Sequence, residues 1–437
     1  MCIRDSKYTE MNPLTTWTRI VVTKILGIHV WSLRLASLVF AVLTIWLTYV
    51  LARELYGKKT ACWAAALISL SAWHALVSTS ISFDGAFLTF YTLLAMYCYV
   101  MFEKCSGKKW LLLAGIAFGL CVLTKYTGVL VVFAIAIYSL IRNRSVMKTA
   151  GECAIICIIG AAVFSVFPIV AFLFSDPSYF WVSWKHGRNY FGGRGISIVL
   201  LAIQYALALV WMGPLLFFGY FLSWKNRQGQ DWFFHSLVFV IIAFYTFVVQ
   251  DPFRPVERYF TILLPSLCIL AGKYFGSLNL KKWKLFWIVF AGMLVLDYAV
   301  SFLPARIIPF YPKTAFIDAV LGLRWNFLMP FTGDQGPVGL YVSFVVIALA
   351  FMTCAVCFVL AMLNNRKAAV VLLAAGLSLS VFFMLELSLH IASPDIGRVV
   401  RETAGYVNEK SMVGPYYAFR DYAIKYYIGK DLSLIHI

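Results

Sequence analysis

Asp84 closes the uncharged stretch Ser78 to Phe83 and opens an apolar run, so its carboxylate stands where it could take a proton from an incoming group. At the same position an aspartate can simply cap a helix by accepting an early backbone N–H. Lys185, His186 and Arg188 fall among Tyr179, Trp181, Trp184 and Tyr190. Three bases so close together are what a phosphate clamp requires, although an interfacial belt of aromatics with solvated bases has the same composition. Arg258-Tyr259, with Arg254 nearby, begins a further helix. A guanidinium fork matches a pair of phosphate oxygens, and an arginine snorkelling at a helix end is the ordinary alternative. Lys125, in the turn Thr124-Lys125-Tyr126-Thr127-Gly128, poses the same choice. The six histidines form no HxxxH or similar cluster, which leaves a metal site without support.

The elements that must position these groups follow from composition. The chain has 437 residues, 62% apolar and only 13% charged, far from the roughly 45–50% and 25% of a soluble domain. With a mean hydropathy of +0.84, the bilayer must solvate most of it. A net charge of +18 could suit nucleic acid, but the bases sit between long apolar runs rather than on one solvated face. That placement points to membrane topology and anionic lipid and excludes a nucleic-acid partner. The ten cysteines lie mainly inside apolar stretches; Cys153/Cys157 and Cys354/Cys357, at helical spacing, read as small buried residues rather than metal or redox pairs.

About twelve apolar runs are long enough to span, at roughly 20 residues per crossing. They are 33–52, 60–79, 83–102, 109–124, 126–141, 149–175, 197–224, 232–250, 259–276, 285–303, 338–363 and 368–391. The 109–124 and 126–141 runs are short and separated only by the turn at Lys125. Before them, Pro13 to Ile28 carries Trp17, Arg19 and Lys24 among apolar residues and predicts an amphipathic helix in the interface. Basic clusters at Arg53/Lys58/Lys59, Lys104/Lys108/Lys109, Arg142/Arg144/Lys148, Lys225/Arg227, Lys273/Lys281/Lys282/Lys284 and Arg366/Lys367 occupy every second connection. The positive-inside rule makes these turns cytoplasmic. The longer connections 176–196, 251–258 and 304–336 are then outside, where the candidate chemistry lies. Gly115-x-x-x-Gly119 predicts close helix packing.

Both ends are expected to be foreign. Met1 to Ser6 and Leu432 to Ile437 can be encoded by one short DNA element read on opposite strands, which resembles the transposon end used in sequencing libraries. The expected organisation is an end of a first outer loop and interfacial helix over 7–31, a transmembrane domain over 32–392, and the start of a small soluble extracytoplasmic domain over 393–431. In that tail, Asp395 to Lys410 predicts an amphipathic helix and Ser411 to Ala418 a strand.

Several segments together resemble one superfamily: Ser32-Leu33-Arg34-Leu35-Ala36-Ser37, Tyr49 to Gly57, Ser82-Phe83-Asp84-Gly85, Gly119 to Thr127, and Arg258-Tyr259 followed by Pro265. In order and spacing they are similar to the protein O-mannosyltransferases and lipid A aminoarabinose transferases. The resemblance implies the GT-C fold: an all-α polytopic membrane bundle, here with about twelve visible transmembrane helices and a truncated C-terminal domain, its active site facing outward. It implies an enzyme that transfers a hexosyl or pentosyl unit from a polyprenyl- or dolichyl-phosphate sugar to a protein, lipid or glycan acceptor. The donor serves as cosubstrate, with no further cofactor or metal firmly implied. The family's catalytic acid follows a first spanning helix; Glu10, in Thr9-Glu10-Met11-Asn12-Pro13-Leu14, matches an acid in relatives that carry Glu-Lys-Pro-Pro-Leu, while Met11 replaces their phosphate-holding lysine.

Under this resemblance Asp84 and Glu10 are the candidate catalytic acids, and Lys185, His186, Arg188, Arg254, Arg258, Tyr259 and Lys125 the substrate-binding residues. The expected place is the plasma (inner) membrane, with the site outside. Without the family's first helix and most of its loop, this chain is expected to be inactive. Two alternatives stay open. Glu152, Asp297 and Glu386, near or inside spans, would serve a lipid or polysaccharide transporter, and loss of the catalytic acids would leave a noncatalytic assembly subunit.

Overall fold

In hydrocarbon every backbone N–H and C=O must find an internal partner, so the apolar runs can cross only as helices. The structure, a computed structural model, describes residues 13–79, 85–174, 205, 212–249, 256–278, 283–307, 313–331 and 340–393. The helices are α1 (Pro13–Leu26), α2 (Val30–Tyr56), α3 (Lys58–Ser69), α4 (Ala72–Thr79), α5 (Gly85–Cys105), α6 (Lys108–Thr124), α7 (Leu130–Asn143), α8 (Val146–Phe164) and α9 (Val166–Phe174). They continue with α10 (Pro214–Ser223), α11 (Trp232–Phe244), α12 (Leu264–Ser277), α13 (Trp283–Ser301), α14 (Lys313–Leu321), α15 (Phe344–Met362) and α16 (Arg366–Leu389). Short strands β1 (Arg306–Ile307), β2 (Phe327–Phe331) and β3 (Leu340–Ser343) complete the set.

Among the described residues nine helical stretches are long and apolar enough to cross a membrane, and α3 with α4, bent by 59° between Ser69 and Ala72, makes a broken tenth. The run 109–124 becomes α6, whose 17 residues are short for a straight crossing. Of 197–224, Tyr205 and the part from Met212, including α10, lie within the description. The chain is thus a multi-pass membrane bundle.

Leu264 to Gly276 of α12 are buried all round, which makes this helix the axis of the bundle. By contrast most residues of α13 and α8 are not buried, so these two present their apolar sides to lipid. Small residues set the close approaches. A Cβ on Gly115 would lie 2.7 Å from Ile159, and one on Gly119 2.6 Å from Val163, so the predicted small-residue pair seats α6 directly on α8.

The basic connections converge on one pole, and side-chain bonds tie them together there. Lys104 reaches Glu54 at 3.2 Å, Arg142 reaches Glu103 at 2.7 Å, and Lys225 donates to the Ala361 and Met362 carbonyls at 3.1 and 3.0 Å. Asp231 is the buried centre of this pole: it accepts from Tyr56 and from Lys273, each at 2.6 Å. Successive helices therefore bring the start of α2, the α4–α5 and α6–α7 connections, and the 256–263 segment to the opposite pole.

The bundle also carries a small sheet that hydropathy did not predict. Residues 304–336, expected as an outer connection, contribute β1 and β2, and β3 completes a three-stranded sheet in the order β1-β2-β3, parallel then antiparallel. Within the run 338–363, Leu340–Ser343 is accordingly a strand and Phe344–Met362 a helix, with the break at Phe344. The Phe327 ring stacks on Phe344 at 4.7 Å and fixes the sheet to the head of α15.

Candidate functional site

Lys125 ends α6 in an extended conformation, φ −162° and ψ 141°, and a 3-10 turn from Tyr126 to Val129 follows it before α7. The turn folds tightly back on α6. Gly128 N–H donates to the Lys125 carbonyl at 2.8 Å, and a Cβ at Gly128 would meet the Cys121 carbonyl at 2.6 Å, so this position requires glycine. The side chain thrown out by this break is half-buried and turns onto a ring. Its Nζ lies 3.8 Å from the centroid of the Tyr259 ring. Such a contact is worth about 0.5–2 kcal/mol, more as the site is desolvated.

Tyr259 belongs to the 3-10 segment Val256–Leu263, and its position is fixed from two sides. Its ring stacks on Tyr245, 5.4 Å between centroids and 9° from parallel. Tyr245 opens a π-helical turn, Tyr245–Val249, a conformation that is rare and recurs at functional sites. Two residues on, Thr261 accepts a hydrogen bond of 2.9 Å from the Trp73 indole of α4. The structure thus brings Lys125 and Tyr259 together at the pole away from the basic connections. The backbone of Arg258 lies in the same 3-10 segment, beside Tyr259.

A second set of polar groups at this pole comes from α1. Pro13, Thr15 and Arg19 form its buried face, while Ile20, Val21 and Ile25 are exposed. Arg19 donates to Ser37 Oγ on α2 at 3.2 Å, and its guanidinium lies 6.0 Å from the Phe87 ring near the start of α5. A row of rings, Trp17 to Phe167 to Phe164 to Tyr126, links α1 to the turn that carries Lys125. None of these α1 residues stood out as a site residue. The signal available was the i, i+4 spacing of Thr15 and Arg19, read with the rule that the apolar side of such a helix faces lipid.

The other sequence candidates, Asp84, Glu10, Lys185, His186, Arg188 and Arg254, lie outside the described residues, as does the Arg258 side chain. The three span acids have local partners. Glu152 accepts from Tyr99 at 2.7 Å and Ser139 at 3.0 Å. Glu386 accepts the Ala392 and Ser393 amides at 3.0 and 2.8 Å and so holds the turn that leaves α16. Asp297 accepts from Ser378 at 3.1 Å and joins the lipid-facing α13 to α16. Glu152 lies in a separate contact, among Tyr99 of α5 and Ser139 of α7, whereas Asp297 and Glu386 both belong to the contact between α13 and α16, on either side of Tyr298. Among the described residues no group of three His, Cys, Asp or Glu is placed to hold a metal.

Residues 10–172 match the family model of the dolichyl-phosphate-mannose-protein mannosyltransferases. Among curated proteins the chain is 23% identical over 303 residues to the undecaprenyl phosphate-alpha-4-amino-4-deoxy-L-arabinose arabinosyl transferase 2 of Proteus mirabilis (strain HI4320), covering 64% of this chain and 52% of that protein. The chain therefore spans about half the length of this curated relative. Among solved structures it is similar to ArnT from Cupriavidus metallidurans bound to undecaprenyl phosphate, with a TM-score of 0.59 and 18% identity over 97% of this chain and 75% of that one. The apo form of the same protein gives a TM-score of 0.58 and 18% identity, over 96% and 74% of the two chains. The expected GT-C architecture holds, and the chain is similar to the aminoarabinose transferases in both sequence and fold.

Proposed function

We propose that the protein is a membrane glycosyltransferase that moves a hexosyl or pentosyl group from a polyprenyl-phosphate carrier to a protein, lipid or glycan acceptor outside the plasma membrane. In this proposal the basic pole is cytoplasmic, as the positive-inside rule requires, and the pole with Lys125 and Tyr259 faces outward. The observation that carries it is the Lys125 ammonium seated 3.8 Å over the Tyr259 ring at the pole opposite the basic turns. A cation held there by a fixed ring is preorganised for the phosphate of a lipid-linked sugar, and its stabilising effect grows as charge develops on the leaving oxygen. The solved relative that binds undecaprenyl phosphate has the same fold and supports this ligand class.

In the proposed step a carboxylate accepts the proton of the acceptor hydroxyl or amine as that atom bonds to the anomeric carbon. The bond from this carbon to the phosphate oxygen breaks, and polyprenyl phosphate leaves with the electron pair. Asp84 and Glu10 are the proposed bases. Arg258, one residue before Tyr259, is proposed to join Lys125 on the phosphate, with Arg254, Lys185, His186 and Arg188 contributing from the outer connections.

The test is transfer in proteoliposomes, using radiolabelled sugar on undecaprenyl phosphate with 4-amino-4-deoxy-arabinosyl and mannosyl donors compared. Transfer with release of one polyprenyl phosphate per sugar is expected, together with a raised donor requirement in Lys125→Met. Unaltered donor saturation in that variant would remove Lys125 from the site. Failure to use any lipid-phosphate sugar would refute the activity.

A further inference from the structure

β1 and β2 run parallel, so the residues that precede each strand lie at the same end of the sheet. For β1 these are Phe302 to Ala305, which follow the last residue of α13, and for β2 they are the turn from Gly322 to Asn326 that follows α14. The Arg306 N–H donates to the Asn326 carbonyl at 2.8 Å and joins the two segments directly. β3 is antiparallel to β2 and reaches the same end at Ser343, where α15 begins. α13 starts from the basic connection at Lys281 to Lys284, leaves the bundle at the opposite pole and enters β1, while α15 leads back into the bundle. This end of the sheet therefore faces the bilayer. Apolar side chains occupy it: Phe302, Leu303, Leu321 and Leu323 are 65%, 60%, 77% and 75% exposed. Leu323 stands there against its backbone preference. The end of α14 is closed by Arg324 N–H to the Ala319 carbonyl at 2.9 Å and Leu323 N–H to the Val320 carbonyl at 3.2 Å, a pair of bonds whose left-handed residue is usually glycine. Here that residue is Leu323, with φ 54°. Arg306 and Arg324 are exposed at the same end, and Trp325 donates its indole N–H to the Val320 carbonyl at 3.0 Å and sets its ring edge-on to Phe344 at 6.0 Å.

We propose that this end of the sheet is a membrane anchor, in which Phe302, Leu303, Leu321 and Leu323 enter the acyl boundary of the leaflet opposite the basic turns and Arg306 and Arg324 lie at the level of the lipid phosphates. Phospholipid is the occupant because the surface continues that of α13: Phe302 follows directly on a helix most of whose residues are unburied and face lipid. Apolar side chains below, with arginines and a tryptophan at the boundary, are the composition of an interfacial segment. A leucine three-quarters exposed, in a conformation that glycine holds with less strain, is accounted for once lipid covers it. The anchor seats the sheet, and through the Phe327–Phe344 stack the head of α15, on the bilayer surface. The inference rests on the topology of the bundle and is independent of the proposed transfer.

The experiment places a dansyl-bearing amino acid at Leu321, at Leu323 or, as the hydrocarbon reference, at the lipid-facing Val295 of α13, in the full chain held at one copy per phosphatidylglycerol-containing nanodisc. Emission is quenched in turn by phospholipid with a nitroxide near the head group, by phospholipid with a nitroxide at the chain end, and by aqueous iodide. Probes at Leu321 and Leu323 are expected to emit at shorter wavelength than in buffer, to be quenched more by the head-group nitroxide than by the chain-end one, and to be shielded from iodide. The Val295 probe should show the opposite depth order. Leu323→Gly should not lower the melting temperature, because the position favours glycine, and should weaken lipid quenching at Leu321. Leu323→Asp should weaken it further and admit iodide. Iodide quenching of the Leu321 and Leu323 probes without lipid quenching would place the turn in water and overturn the proposal. Emission at shorter wavelength that neither nitroxide reaches, and that appears only with two copies per disc, would make this end a contact between copies and also overturn it. A lowered melting temperature in Leu323→Gly with unchanged lipid quenching would make Leu323 structural, with the same consequence.

Discussion

The contact between Lys125 and Tyr259 gives the most exposed prediction. If the ring holds the ammonium in place for phosphate, the two side chains are energetically coupled, and a double-mutant cycle on Lys125→Met and Tyr259→Leu isolates that coupling. An ammonium–phosphate contact is worth about 1.5–3 kcal/mol, so Lys125→Met should raise the Kd for undecaprenyl phosphate roughly 10- to 150-fold. Tyr259→Leu removes the ring at 3.8 Å and frees the ammonium, which should cost about 0.5–2 kcal/mol of binding, the usual range of a cation–π contact. Once Lys125 is methionine, Tyr259→Leu should cost little more, and the coupling should appear at about 0.5–2 kcal/mol. Tyr259→Phe keeps the ring and should stay close to the parent. Titrations of labelled lipid phosphate into the four nanodisc-embedded proteins supply all the terms. Additive losses, or a Tyr259→Phe variant as weak as Tyr259→Leu, would refute ring-held placement of the cation.

Asp84→Asn keeps most of an N-cap's hydrogen bonding and removes the carboxylate, so it should abolish transfer with wild-type melting, whereas Asp84→Ala should also lose about 0.5–2 kcal/mol of stability; an active Asn variant would assign Asp84 to capping. Arg258→Ala should raise the donor requirement with little change in melting, and Arg258→Lys should recover only part of it because the fork is lost; unchanged donor saturation in both would make Arg258 an interfacial anchor. At the other pole Lys273→Met leaves the Asp231 carboxylate buried and unpaired, and a loss of about 3–5 kcal/mol in denaturant unfolding is expected. A loss well under 1 kcal/mol would mean that this pair does not organise the basic pole.

The sequence made the membrane bundle legible because a run of apolar residues near 20 long has few other uses. It also marked the break at Lys125, since Thr124-Lys125-Tyr126-Thr127-Gly128 interrupts two apolar runs and ends in a glycine that the turn requires. Hydropathy could not separate the strand Leu340–Ser343 from the helix that follows, because both are apolar. Nor could it show the 59° bend between α3 and α4, where no proline or glycine intervenes. In the candidate site, Lys125 and Tyr259 were each visible as an isolated residue of a recognisable type, but their contact joins positions 134 apart and depends on how α6 and the 256–263 segment pack. Arg19 was visible only as part of an amphipathic pattern. Which face turns inward is set by the solvent: against lipid the apolar face turns out, and the arginine is buried.

The most direct test of where the carrier phosphate binds is photo-crosslinking with an undecaprenyl phosphate analogue bearing a photoreactive group next to the phosphate, followed by peptide mapping. Labelling should concentrate on Lys125 to Val129 and on Tyr259 to Leu263, and excess undecaprenyl phosphate should suppress it. Label concentrated instead on Trp224 to Asp231 at the basic pole, or label that undecaprenol competes away as well as undecaprenyl phosphate does, would contradict the placement of the site.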